Sequence, residues 1–300
     1  MTKCFSQGLK YLDSFPCKAR VVVPMADDSA VAFAIKDCLS RKLITKAFLI
    51  GDKNNIQNAY GKDISNDLRV EIISSNSEQE AIQKAISLIK DSKANMIMRG
   101  KIPSSSLINY ILDKSNGLRH DFLSHISVFL LPNEEKFRML TDSAVNKRID
   151  EAILCKEIEN ARSLFTQLYD STPKIALLAA NEKVSDKVPA TRMAESIVAK
   201  LKSRTDLIIE GPVSFDLSIS EKSANIKKYK GEIRGDADIL VAPHIETSNA
   251  LYKSMQHMLE MELGSLIFGA DCPIVYPSFT DGSETKLNSL LLGLSLLNRN

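Results

Sequence analysis

Short apolar segments rich in β-branched residues alternate with longer amphipathic segments along almost the whole chain. The segments with strand character form two series: first 19–26, 46–52, 70–74 and 94–100, then 174–180, 206–211, 237–243, 264–270 and 272–278. Their apolar residues are continuous rather than alternating, which indicates burial on both faces, as in parallel sheets covered by helices. The pattern therefore predicts an α/β protein with three layers and mostly parallel strands.

Between the two series lies a pair of apolar segments with a short polar connection. HISVFLL and FRMLTD, within residues 125–142, are separated only by PNEEK. This spacing predicts either an antiparallel hairpin or a crossing of the chain between two lobes.

The composition narrows the class of protein without indicating a reaction. With 44% hydrophobic and 25% charged residues, the chain is typical of a soluble globular protein. Its net charge of +2 is too small to favour nucleic acid or an anionic membrane as a partner. The N-terminus lacks a secretory signal pattern, and the apolar tail at 287–297 is too short to span a bilayer.

The cysteines and histidines show no pattern of metal ligands. The five cysteines are scattered, without a C-x-x-C pair, and the four histidines have no ligand spacing. We therefore expect reduced thiols, no metal site and a cytoplasmic location.

Polar residues follow several predicted strands, and parallel sheets bind their ligands at these carboxyl ends. After the last strand, Asp281 and Glu284 have the spacing of a helix start in which an acidic side chain caps the first-turn amides. The same amides attract anions, so the turn from Ser278 is either a local cap or an anion-binding loop. Asp28 or Ser29 is similarly placed to cap an earlier helix.

Two further strand ends carry glycines. Arg99 and Lys101 flank Gly100, and the two cations either hold a phosphate or form an ordinary solvated loop. Gly211-Pro212 directly follows a strand, where a rigid turn is a sufficient interpretation.

Six longer motifs occur in a specific order. They are GLRHDFLSHISVF, LTDSAVN, PKIALLAANEKVSDKVPAT, IIEGPVSFDLSIS, GDADILVAPHIETSNALYKSM and FGADCPIVYPSFTDGSETKLNS. This series resembles the phosphate acetyltransferase/phosphate butyryltransferase family, and its butyryltransferase branch more closely. The resemblance runs from about residue 18 to the C-terminus and is strongest from Gly117 onward.

The resemblance implies both a fold and a reaction. The implied fold is related to isocitrate and isopropylmalate dehydrogenases, with one lobe at 1–126 plus 271–300, a second lobe at 127–270, and a cleft between them. The implied reaction converts an acyl-CoA and phosphate into an acyl phosphate and CoA, reversibly, on short- or branched-chain acyl groups. Coenzyme A is then a substrate, no cofactor is permanently bound, and a homodimer or larger homo-oligomer is expected.

The resemblance also carries site residues over to this chain. The family's serine near the last strand, which contacts the reacting thiol and carbonyl, corresponds to Ser278, and Asp281 or Glu284 is the expected proton acceptor. The positions matched to substrate binding are Arg99, Gly100, Asn146, Arg148, Thr191, Arg192, Gly211, Pro212 and Asn249.

Departures from the family pattern at Ser278-Phe279, Ser248 and His244 keep more than one function open. The family usually reads Ser-Arg where this chain has Ser278-Phe279, and phenylalanine has neither the charge nor the forked donors of arginine. The chain is accordingly predicted to be either an active phosphate acyltransferase or a non-catalytic homologue that binds CoA esters or acyl phosphates. A different acyl-phosphate reaction is a third alternative. A dinucleotide dehydrogenase is not indicated, because no G-x-G-x-x-G follows a strand.

Overall fold

A computed structural model describes residue 5 and residues 19–113, 115, 118, 120–132, 134–148 and 150–297. The chain forms two compact units. The first unit comprises Met1–Leu123 and Glu262–Asn300, and the second unit comprises Ser124–Met261. The lobe bounds given by the resemblance, 1–126 plus 271–300 and 127–270, stay a prediction, as does the cleft between lobes.

Strands and helices alternate through most of the described chain. The strands are β1 (Arg20–Pro24), β2 (Lys46–Gly51), β3 (Val70–Ser74), β4 (Met96–Met98), β5 (His120–Phe129), β6 (Arg138–Thr141), β7 (Lys174–Leu178), β8 (Ile208–Val213), β9 (Ile239–Val241), β10 (Leu263–Ala270) and β11 (Ile274–Val275). The helices are α1 (Ser29–Ser40), α2 (Lys53–Tyr60), a 3₁₀ helix (Lys62–Asn66), α3 (Glu78–Lys90), α4 (Ser104–Leu112), α5 (Glu151–Leu168), α6 (Pro189–Leu201), α7 (Phe215–Ile219), α8 (Glu221–Ile226), α9 (Ile245–His257) and α10 (Ser283–Leu297).

The first unit has strand order β3-β2-β1-β4-β11-β10. Neighbours pair in parallel from β3 to β11, whereas β10 and β11 are antiparallel. The segment 272–278, predicted as one strand, pairs only at Ile274 and Val275. Pro273 and Pro277 bracket these two residues and have no backbone N–H to donate, which shortens the strand.

Three helix starts in the first unit follow from local capping. Asp28 accepts hydrogen bonds from Ala30 N and Val31 N at the start of α1, so its predicted role as an N-cap is confirmed. Asp52 and Ser77 cap α2 and α3 in the same way.

The last helix, α10, lies in the core of the first unit. It is buried from Thr285 to Leu296 and packs against α1 and β10. Its leucines fill this core. Gly293 lets β11 and Met96 approach closely, because a Cβ there would lie 2.7 Å from Val275 Cγ2.

The second unit has strand order β5-β6-β9-β7-β8. β5 and β6 pair antiparallel over 126–129 and 138–141, which confirms the hairpin alternative for these segments. The other neighbours pair in parallel, and α5 packs on β6 and β9. The α/β class with mostly parallel strands is confirmed, while the relation to isocitrate and isopropylmalate dehydrogenases stays a prediction.

Candidate functional site

Ser278 lies at the beginning of a tight turn that follows β11. Its backbone N–H donates to Asp281 Oδ2 at 2.7 Å, and Asp281 N donates back to Ser278 O at 3.1 Å. Asp281 is only 4% exposed, while Ser278 is half-buried with its Oγ 3.4 Å from Thr280 Oγ1. The Asp281 carboxylate therefore fixes the backbone that carries the Ser278 hydroxyl.

Two exposed side chains follow Ser278 along the chain. Phe279 is 48% exposed, and Glu284 is exposed on the first turn of α10. The turn thus offers solvent a hydroxyl, an aromatic ring and a carboxylate. Glu284 is accessible to a proton donor in a way that the buried Asp281 is not.

Arg99, at the end of β4, is buried against the same turn. It is 2% exposed, and its Nη1 donates to Pro277 O at 3.1 Å. Its Nε and Nη2 donate to Ile102 O at 2.9 and 2.6 Å, and the guanidinium carbon lies 4.8 Å from the centre of the Tyr276 ring. The donors of Arg99 bind backbone carbonyl groups of the protein. Its contact with substrate stays a prediction.

Gly100 is a position where the backbone of two loops meets. A Cβ at this residue would lie 2.2 Å from Met25 O and 2.4 Å from Pro24 O, a contact that no side chain permits. Lys101 N donates to Met25 O at 2.7 Å. The side chain of Lys101 is 54% exposed and lies 3.6 Å from Asp27, so it is an accessible cation at this loop.

A buried ion pair joins the starts of two helices in the first unit. Lys286 Nζ donates to Asp28 Oδ2 at 2.7 Å, and the two side chains are 4% and 13% exposed. Burial by itself raises the pKa of Asp28, but the hydrogen bond from Lys286 and those from the α1 amides hold this pKa below its ordinary value. Sequence reasoning missed this pair, although a lysine among the buried leucines of α10 is a detectable signal.

In the second unit, Asp142 organises the turn that follows β6. It is 1% exposed, and its Oδ1 accepts from Ala144 N at 2.8 Å and Val145 N at 2.9 Å. Its Oδ2 accepts from His125 N at 2.9 Å and from Asn146 Nδ2 at 2.8 Å. A carboxylate that accepts several N–H donors fixes the loop around it.

The structure brings Asn146 and Asn249 to this one turn. Asn249 Nδ2 donates to Ser143 O at 3.1 Å, while Asn146 donates to Asp142. His125 is 4% exposed, with Nδ1 2.8 Å from Ser143 Oγ, and is therefore packed within the second unit.

Glu157 is a fully buried carboxyl group on α5 near this turn. Burial first and the charge of Asp142 second raise the pKa of Glu157 to about 8, against a lowering contribution from Asn146. Glu157 falls on the apolar stripe of α5, between Leu154 and Ile158, which is the signal that sequence reasoning missed.

Thr191 and Arg192 lie near the start of α6. Thr191 is fully buried, and its Oγ1 accepts from Ser185 N at 2.9 Å and donates to Val188 O at 2.7 Å. Arg192 is exposed and pairs with Asp186 at 2.8 Å. Thr191 therefore shapes the loop before α6, and Arg192 is accessible from solvent.

The remaining predicted positions of the second unit divide into a packed pair and an exposed cation. The Gly211–Pro212 peptide bond is cis, and a Cβ on Gly211 would lie 2.6 Å from Leu177 Cβ and 3.2 Å from Ala194 Cβ. Gly211 and Pro212 lie within β8 (Ile208–Val213), so the prediction that they follow the strand as a rigid turn is wrong. Gly211 permits close packing of β8 against β7 and α6. Arg148 is exposed.

The described residues show neither a candidate metal site nor a candidate membrane span. Within these residues, no group of three or more His, Cys, Asp or Glu side chains is arranged to hold a metal ion. Nor does any helix in the described part of the chain have the length and apolar character needed to cross a membrane.

Comparisons with known proteins identify a family and similar relatives along most of the chain. The profile of the family described as phosphate acetyl/butaryl transferase matches residues 70–293. The chain is 30% identical to the phosphate butyryltransferase of Clostridium acetobutylicum, with 97% of each chain covered, and 32% identical to that of Clostridium beijerinckii, with 100% of each covered. The crystal structure of a branched-chain phosphotransacylase from Enterococcus faecalis is 29% identical, with a TM-score of 0.82 over 94% of this chain and 100% of that chain.

Proposed function

The chain belongs to the phosphate acetyl/butyryl transferase family, and on this premise we propose that it interconverts a butyryl-like or branched-chain acyl-CoA plus phosphate with the acyl phosphate plus CoA. The observation that carries this function is the family match over residues 70–293, which includes the complete Ser278 turn. The family predicted from the ordered motifs is confirmed.

The reaction needs polarisation and proton transfer rather than a covalent intermediate. A phosphate oxygen attacks the thioester carbonyl, a C–O bond forms, the C–S bond breaks, and the departing thiolate takes up a proton. In the reverse direction the CoA thiol loses that proton as it attacks the acyl phosphate. The oxyanion that develops at the carbonyl is stabilised by hydrogen-bond donors held in position before the reaction.

We assign the first-unit roles from accessibility. Ser278 Oγ donates to the reacting carbonyl or thiol region, because it is the hydroxyl that the Asp281 turn holds in place. Glu284 exchanges the thiol proton, since it is exposed, whereas Asp281 is buried and already accepts from Ser278 N. Lys101, 54% exposed, supplies positive charge for phosphate at the neighbouring loop.

The second-unit roles follow the resemblance. The exposed Arg148 and Arg192 are the proposed ligands of the phosphate groups of CoA or of free phosphate. Asn146 and Asn249 contribute amide groups from the Asp142 turn, which holds both of them.

The assembly and location are proposed on the same premise. The chain is proposed to work in the cytoplasm as a homodimer or larger homo-oligomer, with CoA as substrate and no permanently bound cofactor. Light scattering on the purified protein then gives a multiple of the 33.2 kDa chain mass, and a monomer mass contradicts this assignment.

A panel of acyl donors tests the function. The full chain is incubated with phosphate and acetyl-, propionyl-, butyryl- or isobutyryl-CoA, and both free thiol and acyl phosphate, trapped as the hydroxamate, are followed. We expect phosphate-dependent production of both in equal amounts, fastest with the four-carbon donors. Absence of turnover with every donor contradicts the proposal.

Phe279 favours the non-catalytic homologue as a second candidate, because it replaces a cationic residue of the family beside Ser278. That candidate requires the acyl-CoA panel to raise Tm without turnover. It further requires Phe279→Arg, a change at a 48% exposed position, to create turnover where the native chain has none.

A further inference from the structure

We propose that Arg99 is a positioning residue for Ser278, which acts by clamping the peptide unit between Pro277 and Ser278 rather than by binding phosphate. The inference rests on the proposed function, since it assigns Arg99 a role in that reaction. It replaces the expectation, drawn from the charge of Arg99 at a strand end, that the guanidinium itself meets the anionic substrate.

The clamp engages both polar atoms of a single peptide unit. The carbonyl oxygen is that of Pro277, which accepts from Arg99 Nη1 at 3.1 Å. The N–H is that of Ser278, which donates to Asp281 Oδ2 at 2.7 Å. A cation on the carbonyl and a carboxylate on the N–H both match the peptide dipole, and the planar peptide then has a fixed orientation.

Arg99 itself has little freedom to move. Two of its nitrogens bind Ile102 O at 2.9 and 2.6 Å, and its guanidinium stacks over Tyr276 at 4.8 Å. Tyr276 is in turn tied to Ser104 O through its hydroxyl at 2.9 Å and to Ser265 Oγ through its carbonyl at 3.0 Å. The clamp therefore connects the Ser278 turn to β10 and to the start of α4.

The burial of Arg99 favours the clamping role over the role of a phosphate ligand. Arg99 is 2% exposed, whereas Lys101, two residues later, is exposed at the same loop and can reach an anion. A planar fork with several donors is needed to hold two carbonyls from separate segments. Lysine has the charge but lacks that fork, so Arg99→Lys removes the clamp and keeps the positive charge.

The experiment compares Arg99→Lys with Arg138→Lys in the full chain. Arg138 is a matched control because it is also buried, at 6% exposure, and donates to backbone carbonyls of Gly235 and Ala237 at 2.9 and 3.0 Å. For each variant, kcat and KM for phosphate are measured with butyryl-CoA, together with amide hydrogen exchange of the segment 277–282. Ser278→Ala is combined with Arg99→Lys in a double-mutant cycle.

We expect Arg99→Lys to lower kcat by roughly 10- to 100-fold, the effect of a misplaced reacting group, with KM for phosphate changed less than about twofold. In the Ser278→Ala background the same substitution has little additional effect, because both changes remove one function. Exchange of the 277–282 segment accelerates in Arg99→Lys and not in Arg138→Lys.

Three results overturn the clamp. One is a rise in KM for phosphate at constant kcat, which makes Arg99 a substrate ligand. Another is full additivity with Ser278→Ala. The third is unchanged exchange of the 277–282 segment, which is decisive on its own, because this measurement does not depend on turnover. If the native chain has no activity but the exchange difference appears, the proposed function fails while the clamp stands.

Discussion

At the scale of the residue, burial decides which cations of the first unit are available to a ligand. Arg99 is 2% exposed and the Lys286 side chain 4%, and both bind partners within the protein, whereas the Lys101 side chain is 54% exposed. The sequence alone gives all three the same charge. The acceptors of Arg99 are backbone carbonyls, one of them 178 residues distant along the chain, and backbone carbonyls leave no signature in residue type.

Glu157 provides a prediction on pH. Its pKa, raised to about 8 in the folded protein, lies near 4.5 in the unfolded chain, so the folded state binds the extra proton between these values. The contribution of Glu157 to the free energy of unfolding is therefore fully present below pH 4.5 and is lost as pH rises through 8. Glu157→Gln stays neutral throughout, so we expect its Tm to rise relative to the native chain as pH increases from 5 to 8.

The control for Glu157 is an exposed acid in the same unit. Glu221→Gln, on α8, is expected to change Tm by the same small amount at every pH. Parallel pH profiles of Tm for Glu157→Gln and the native chain show that this carboxyl group has an ordinary pKa, which contradicts the account of the Asp142 turn.

At the scale of the element, the apolar patterns identify most strands. The pairing direction of β10 and β11 follows only from the three-dimensional structure. β3 spans the predicted residues 70–74 without change, because its flanks carry clear turn signals. β11 is shorter than predicted, and its antiparallel pairing with β10 has no counterpart in the local pattern. Asn146 and Asn249 are 103 positions apart, and only the family resemblance identifies them as candidate site residues from the sequence. In the structure they bind Asp142 and Ser143, which are neighbours in one turn.

The Asp28–Lys286 pair gives a prediction on stability at this scale. Lys286→Met retains the apolar stem but leaves the Asp28 carboxylate without its cation at the junction of α1 and α10. We expect a loss of roughly 3 kcal/mol in the free energy of unfolding, seen as a fall of several degrees in Tm. Lys90→Met, at the exposed end of α3, is expected to change stability by less than about 0.5 kcal/mol.

A second substitution checks the cause of that loss. Asp28→Asn combined with Lys286→Met removes the orphaned charge, so we expect the double variant to recover part of the stability lost by the lysine change alone. Equal Tm values for Lys286→Met and Lys90→Met show that the Asp28–Lys286 ion pair does not stabilise the fold.

At the scale of the whole molecule, the proposed function implies that turnover does not require arginine at position 279. The family profile spans residues 70–293, so the loops of both units that carry the predicted substrate ligands belong to it. In the proposed reaction the positive charge that meets phosphate comes instead from Lys101, Arg148 and Arg192, which are exposed at loops and at a helix start. The native chain is therefore expected to turn over with Phe279 in place.

Phosphate-dependent release of CoA from butyryl-CoA by the full chain, measured beside Ser278→Ala, tests this most directly. The native chain is expected to release thiol only when phosphate is present, and Ser278→Ala to lower kcat by roughly 100-fold with unchanged Tm. Ser295→Ala, whose hydroxyl binds Leu292 O within α10, is the matched control and is expected to keep native turnover. Absence of thiol release from the native chain, or equal turnover in Ser278→Ala, contradicts the account.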